Sequence, residues 1–459
     1  FKIPNWLKQF FIYSERNFFS KIADTQFVLL SLTISPLLAL ILGFFTKYLG
    51  GFNEGEPVYF FSLNENIPAY LFMCVIVSLF IGLIVSAEEI IRDRKIRARE
   101  SFLNLSKYSY INSKILFLFV LSAIQMFVFV LIGNSILGIK GLNFNYWLIL
   151  FTTSSFAVML GLNISAGLKS IISIYINIPF ILVPLILLSG VIVKYDKLHY
   201  KVAGEEFVPM VGELMASRWA YEALVVNQFR NNDYESSLFE AEKEEANVLY
   251  YLNYLLPEIN NRMSDLNHAL ADHDENKAEK IWVVLQNTFS DLSDVPEQIL
   301  HAQFPDLPFE LIDAYLSQWK EYLEKESART TAAKDAAIQR LQEENGGREG
   351  LIRLKQNYHN QAVEELVLNS NDLIKIREVK GKLVRKDSPI FQVPRSNTGR
   401  AQFFASTKVI GGFEFDTFWF NISVLWFMTV ILYIALVRDS LRKVIDLFSF
   451  TKVSKRKTE

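Results

Sequence analysis

Ala87-Glu88-Glu89-Ile90-Ile91-Arg92-Asp93-Arg94-Lys95-Ile96-Arg97-Ala98-Arg99-Glu100 comes directly after a hydrophobic run that ends at Ala87, and a second apolar run begins at Ile111. A dense block of both charge signs does not stay in lipid, so residues 88–100 read as a short amphipathic connector lying at a membrane face. A connector of this kind transmits force between a membrane domain and something soluble beneath it.

Working outward from this block, the hydrophobic residues are segregated along the chain rather than spread evenly. The chain has 459 residues, 51% of them hydrophobic, with 38 Phe. At about 20 residues per span, six segments qualify: 27–49, 67–87, 111–137, 146–168, 171–193 and 417–437. None has Asp, Glu, Lys or Arg in its interior. The formal net charge of −2 averages a membrane part with a charged insertion and says nothing of partners.

Lys and Arg set the expected orientation. Lys2, Lys8, Arg16 and Lys21 precede the first span, the connector after the second is Arg-rich, and Arg438, Arg442, Lys443 and Lys452 to Lys457 follow the last. These regions are expected in the cytoplasm, with Lys169 on the same side. The loop at 50–68 holds Glu54, Glu56 and Glu65 without Lys or Arg, which suits the outer face. The expected localisation is an integral protein of a bacterial inner membrane with both termini cytoplasmic. The single Cys, Cys74, lies within the second span and reads as a packing or lipid-facing residue.

The chain begins with Phe1 and shows no signal-peptide pattern, which raises the expectation of residues upstream. Residues 1–26 read as an amphipathic helix opened by Pro4 and lying along the inner surface, with Trp6, Leu7, Phe10, Phe11, Phe18, Phe19 and Ile22 at helical spacing.

Within residues 194–230, residues 207–229 are too apolar for a free loop and too charged to span. They are expected to form re-entrant outer helices, with Arg218 and Glu222 at i, i+4 able to pair. Residues 231–412 read as a mainly helical extracytoplasmic insertion. Helices are expected over 235–256, 258–289, 308–326, 332–344 and 351–374, with an antiparallel hairpin around Gly346-Gly347 and short extended stretches such as 391–393. Residues 413–459 then supply the sixth span and a cytoplasmic tail. The fold class is thus an all-α polytopic membrane protein.

Metal and hydrolytic chemistry find little support. All five His, at 199, 268, 273, 301 and 359, fall between the fifth and sixth spans and read as solvated. The run Glu240-Ala241-Glu242-Lys243-Glu244-Glu245 reads as a solvated helix face, since it lacks the Gly turn and oxygen spacing of a calcium loop. No Gly-x-x-x-x-Gly-Lys-Ser/Thr phosphate loop occurs, and Gly346-Gly347-Arg348-Glu349-Gly350 reads as a turn. The chain by itself is therefore not expected to hydrolyse ATP, and no catalytic residues are assigned.

Several of these segments resemble the membrane half of an ATP-binding-cassette exporter of the G subfamily, with its type-2 permease domain. Gln9, Arg16 and Asp24 in the amphipathic start are similar to the family's connecting helix. Glu88, Asp93 and Glu100, with Lys107 to Lys114 after them, resemble the loop that carries its coupling helix. Leu187 to Val193 resembles the end of its fifth span, and Ser217 to Leu224 with Phe229 resembles its outer re-entrant helix. The resemblance covers about half of the chain, and the insertion beyond Asn231 has no counterpart in it.

The resemblance implies a half-transporter working as a homodimer, with a nucleotide-binding domain upstream or separate that would carry ATP and Mg. Alternating access would move a lipid, lipid-linked or small hydrophobic molecule. Arg16, Glu89, Asp93 and Glu100 would couple to the nucleotide-binding domain. Ser78, Ile81, Asn177, Pro179, Val183 and Ile186 would line the cavity, Val191 and Ile192 would form an outer plug, and Arg218, Trp219, Tyr221 and Glu222 belong to the re-entrant helix. The absence of a charge within the spans argues against proton coupling and against a charged channel ring. Gln125, Asn134, Asn177, Ser78 and Thr152 to Ser155 read first as interhelix hydrogen-bonding groups and second as contacts to an amphipathic cargo. Expected partners are a second membrane half, membrane lipid and an extracytoplasmic protein, with no nucleic acid. The alternative is a membrane-anchored scaffold that acts through its outer helical domain.

Overall fold

The structure, a computed structural model, describes residues 5–53, 56–100 and 106–444, with the backbone alone at 52, 53, 97 and 100. Lys2, Pro4, Glu54, the Glu100 side chain and the basic run from Lys452 to Lys457 lie outside the described residues. The chain divides into two compact units, one of residues 1–202, 209–228 and 416–459, the other of residues 203–208 and 229–415.

The first unit begins with α1 (Trp6–Ala23), α2 (Thr25–Thr46), the hairpin of β1 (Gly51–Asn53) and β2 (Glu56–Val58), and α3 (Ile67–Ala87). Short α4 (Glu89–Arg92) and α5 (Arg94–Glu100) follow, then α6 (Lys107–Leu137), α7 (Asn143–Gly167), α8 (Ile171–Leu187), α9 (Met210–Glu213) and α10 (Ala216–Arg230). Among the described residues, five helical stretches are long and apolar enough to cross a membrane: Thr25–Thr46, Ile67–Ile96 (α3 continued through α4 into α5), Lys107–Leu137, Asn143–Gly167 and Thr417–Val437. The fifth expected span, 171–193, is shorter than its hydropathy suggested. α8 stops at Leu187 after 17 residues because the chain turns at Ser189-Gly190, where Gly190 has φ +83°.

α7 is the hub of this unit, buried on nearly every side. It packs against α3 through small residues. A Cβ added at Gly82 would meet the Ser154 carbonyl oxygen at 2.6 Å, and one added at Gly161 would strike Ser86 Oγ. Where lipid surrounds the helices, such close backbone approach gains dispersion contact that hydrophobic sequestration cannot supply.

The second unit contains α11 (Phe239–Tyr250), a π-helical turn at Tyr251–Leu255, α12 (Leu256–Ala271), α13 (Glu275–Phe289), α14 (Glu297–Leu300), α15 (Phe309–Glu344), α16 (Arg348–Tyr358) and α17 (Gln361–Leu368). Hairpins β3 (Ile376–Val379) with β4 (Lys382–Arg385), and β5 (Thr407–Ile410) with β6 (Phe413–Asp416), come next, and α18 (Thr417–Val437) belongs to the first unit. Leu256, Ile259, Met263 and Leu266 of α12 meet Ile281, Trp282, Leu285 and Phe289 of α13 and Ile312 and Leu316 of α15 in one apolar core.

Several helix limits here differ from the sequence expectation. Pro257 does not end a helix. It occupies the first turn of α12, where a missing N–H costs nothing, and the π-helical turn carries the chain through. The expected helix over 258–289 breaks at His273, φ +56°, and Asp274 caps α13 by accepting from the Lys277 N–H. α15 runs unbroken through 327–331. The expected 351–374 helix divides at His359, with Asn360 accepting from the Val363 N–H at 3.0 Å to start α17. Strands β3 and β4 were not anticipated; Lys380 and Gly381, φ +51° and +75°, make the two-residue turn that joins them. Of the stretch expected to be extended, 391–393, Phe391 closes a 3-10 turn that begins at Pro389, and Gln392 after it is extended.

Candidate functional site

α1 presents Gln9, Tyr13, Asn17 and Lys21 at four-residue spacing, and all four are buried. Trp6, Leu7, Phe11, Phe18, Phe19 and Ile22, the residues whose spacing identifies the helix, are the exposed ones. The polar stripe faces inward because its partners lie on α6 and α4. Gln9 Oε1 accepts from the Ser106 N–H at 2.8 Å, Ser109 Oγ donates to the Trp6 carbonyl at 2.7 Å, and the Tyr13 and Tyr110 rings meet edge-on at 5.9 Å.

At the end of this stripe the ionic groups converge. Lys21 Nζ pairs with Glu89. Lys114 Nζ reaches Glu89 Oε2 at 3.0 Å, Asp93 Oδ2 at 2.9 Å and Asn17 Oδ1 at 2.9 Å. Tyr110 donates its hydroxyl to Asp93 Oδ2 at 2.9 Å. The Glu89 side chain is 4% exposed and that of Lys114 8%. Two ammonium groups against two carboxylates balance in charge. That balance decides whether such a cluster is tolerable, since each ion removed from water costs several kcal/mol unless its partner is in place.

The connector is held from its other sides as well. Ser165 Oγ of α7 accepts from the N–H groups of Ile90 and Ile91 at 3.0 and 3.1 Å, capping α4 from a different helix. Arg94 Nη2 donates to the Leu168 carbonyl at 2.7 Å beyond the C-terminus of α7, and Tyr175 of α8 donates to Glu88 Oε1 at 2.7 Å. Lys107 Nζ donates to the Val437 carbonyl at the end of α18 at 2.8 Å. The charged block is thus bonded to α1, α6, α7 and α8, and displacement of one of these elements loads the others.

Of the four expected coupling residues, Glu89 and Asp93 are brought together in this cluster. Arg16 is exposed, its guanidinium 5.0 Å above the Tyr13 ring, and Glu100 lies in α5 with its side chain outside the described residues. Asn17, Lys21 and Lys114 are not among the coupling residues expected from sequence. The available signal was the polar four-residue repeat in α1, which was masked by the louder aromatic pattern on its opposite face.

The far end of α3 holds a second buried ionic group. Arg218 and Glu222 on α10 are both fully buried, and the pairing allowed by their spacing is present at 3.5 Å. Arg218 Nη1 also lies 3.4 Å from Glu213, and its guanidinium sits 3.8 Å from the Trp219 ring centre. Asn421 of α18 donates to Glu222 Oε2 at 2.8 Å and to the Trp219 carbonyl at 3.0 Å. Tyr221 packs edge-on to Phe72 of α3, and Ser217 donates to the Leu185 carbonyl of α8. α10 is therefore enclosed by helices, rather than resting on a surface.

The expected cavity residues divide into two groups. Ser78 and Ile81 are fully buried, with Ser78 Oγ donating to the Val75 carbonyl of its own helix at 2.8 Å. Pro179 and Val183 are exposed on α8, and Asn177, Ile186 and Val191 are half-buried, with Ile192 60% exposed. α8 buries only Ile174, Ile178, Leu182 and Leu185, leaving a wide apolar face open. The outward stripe of α3 is Met73 and Phe80, both exposed, with Ile76 and Ile84 half-buried, one helix face away from the expected Ser78 and Ile81. Gln125 and Asn134 make interhelix bonds, Gln125 Nε2 to the Ser31 carbonyl at 2.8 Å and Asn134 Nδ2 to Asn143 Oδ1 at 2.8 Å, and Cys74 is buried.

In the second unit one expected solvated His is not solvated. His359 is 3% exposed, with Nε2 3.0 Å from Glu364 and Nδ1 3.7 Å from Glu235. Burial opposes its charge, but the two carboxylates outweigh burial and raise the imidazole to about 9. Glu242 is likewise no solvated helix carboxylate, because burial first and the Glu235 charge second push it up to about 8. No cluster suited to a metal ion occurs among the described residues.

Residues 8–229 match the family model described as ABC-2 type transporter. That stretch contains both ionic clusters. No curated protein matches the chain.

Proposed function

Taking as premise that residues 8–229 belong to the ABC-2 type transporter membrane family, and that the chain is an integral membrane component of a transporter that pairs with a nucleotide-binding ATPase, we propose that it is the permease half of an ATP-driven exporter of a hydrophobic or amphipathic substrate. In this reading α8 is the remaining span, shortened by its turn at Gly190. Both termini are cytoplasmic, and two copies face each other across the open sides of α3 and α8.

The observation that carries this reading is the buried cluster Lys21, Glu89, Lys114 and Asp93, which welds the charged connector to α1 and α6. ATP and Mg would be held by the nucleotide-binding component, and residues of this chain receive its movement. A push on α4 and α5 is passed to α1 through Lys21 and to α6 through Lys114. A bonded cluster moves as a body, so the two halves rock and the central path changes access from one side to the other. Arg16 and Glu100 would extend the contact surface, Pro179 and Pro184 would bend α8, and Val191 and Ile192 would close the outer end.

The test is purification of the chain from its native membrane in mild detergent, followed by vanadate-sensitive ATPase assay. A stoichiometric nucleotide-binding component with that activity supports the proposal. Its absence overturns it and favours the scaffold reading, in which the second unit, with an apolar core of its own, is the working part.

A further inference from the structure

A cavity of about 650 Å³ lies on the apolar helices of the first unit, but a second, of about 570 Å³, lies in the second unit with a different chemistry. Its volume is that of a small-molecule site. Tyr315, Trp319 and Tyr322 of α15 line it at spacings of four and three residues, so they share one helix face. Tyr251 opposes them, its ring edge-on to Trp319 at 5.8 Å. It stands at the first residue of the π-helical turn, which shifts the register of its helix there; single π-helical turns often mark functional sites.

The polar lining has one sign. Asp291, Asp294 and Glu326 face the cavity, and no Lys, Arg or His is among the described residues that line it. Two of these carboxylates are already answered from outside, Asp291 by Arg395 at 2.7 Å and Glu326 by Arg329 at 2.6 Å. Asp294 has no ion pair among the described residues. Burial, and after it the Asp294 charge, push the Tyr315 hydroxyl up to about 12, so that ring stays neutral. An excess carboxylate beside several aromatic rings attracts a cation whose charge is spread over alkyl groups, which ring faces accommodate and a hydrated metal ion does not exploit.

We propose that this cavity binds a small organic ammonium ion, held by Tyr251, Trp319 and Tyr322 and by the Asp294 carboxylate. The proposal is independent of the transport reading, since no residue of the first unit takes part.

The experiment titrates the full chain in detergent with choline and with 3,3-dimethylbutan-1-ol, its uncharged isostere, by ligand-detected NMR saturation transfer. Choline is expected to saturate at millimolar concentration and the isostere to bind on the order of tenfold more weakly. Asp294 has φ +59°, a conformation Asn tolerates well, so Asp294→Asn removes the charge without straining the turn and should weaken choline by a similar factor. Tyr322→Leu, at a position 59% exposed, should weaken choline without disturbing the core. Equal binding of choline and the isostere, unchanged choline binding in Asp294→Asn, or saturation by a neutral disaccharide with no response to choline would each overturn the proposal.

Discussion

A guanidinium with no exposed surface is the least forgiving side chain in this protein. Arg218 balances Glu213 and Glu222, so Arg218→Met leaves the fully buried Glu222 beside another carboxylate. Removing one partner of a buried pair costs about 3–5 kcal/mol, whereas replacing both by apolar groups is often neutral. Denaturant titration in detergent is expected to show Arg218→Met strongly destabilised and Arg218→Met with Glu222→Met recovering much of the loss. His359 makes a different prediction, about pH. Its folded value, about 9, lies above its ordinary 6.5, so its stabilisation is complete below pH 6.5 and disappears as pH rises through 9. Glu242, raised from 4.5 to about 8, adds a loss of stability in the same direction between those values. Thermal unfolding of the intact protein should therefore show the transition involving the second unit falling between pH 6 and 9, and His359→Gln should flatten that dependence.

Among the elements, the contact of α3 with α7 depends on what is missing from it. At Gly82 a side chain would meet the Ser154 backbone oxygen at 2.6 Å and Ala157 Cβ at 2.8 Å, neither of which can rotate away. Gly82→Val is expected to cost about 1–3 kcal/mol by forcing the helices apart, measured as a lowered unfolding temperature in detergent. Gly190 limits α8 in a related way: its φ is +83° and a Cβ would lie 2.5 Å from the Tyr195 ring. Gly190→Ala should be destabilising by about 1 kcal/mol or more from the backbone conformation alone. α1 shows that the inward face of a membrane-associated helix is not always its apolar face, because in lipid the polar groups are the ones that need protein partners.

For the molecule as a whole, the open apolar face of α8 is the feature that one copy of the chain leaves unpartnered. If two halves meet there, Val183→Cys should form a disulfide between copies under mild oxidation in native membranes. The background is low because the natural thiol, Cys74, is buried. Monomer alone after oxidation, with Val183→Cys accessible to thiol reagents, would place the partner elsewhere. Glu89→Gln should reduce vanadate-sensitive ATPase activity or uncouple it from transport in the assembled complex while the chain still reaches the membrane.

Sequence by itself determined the things that depend on composition over a length of about 20 residues. The spans at 67–87 and 417–437, the charged connector after Ala87, the Gly346-Gly347 turn and the Arg218 to Glu222 spacing were all legible, because hydropathy, charge exclusion from lipid and helical periodicity are properties of contiguous segments. The tertiary structure decided what depends on residues distant in the chain. Lys21 and Lys114 become partners of Glu89 across 68 and 25 positions, and Glu235, far from His359 in sequence, joins the nearby Glu364 in raising its imidazole. It also decided which face of α3 is enclosed, placing Ser78 and Ile81 inside and Met73 and Phe80 outside, since a uniformly apolar helix has no periodicity from which its buried side could be read.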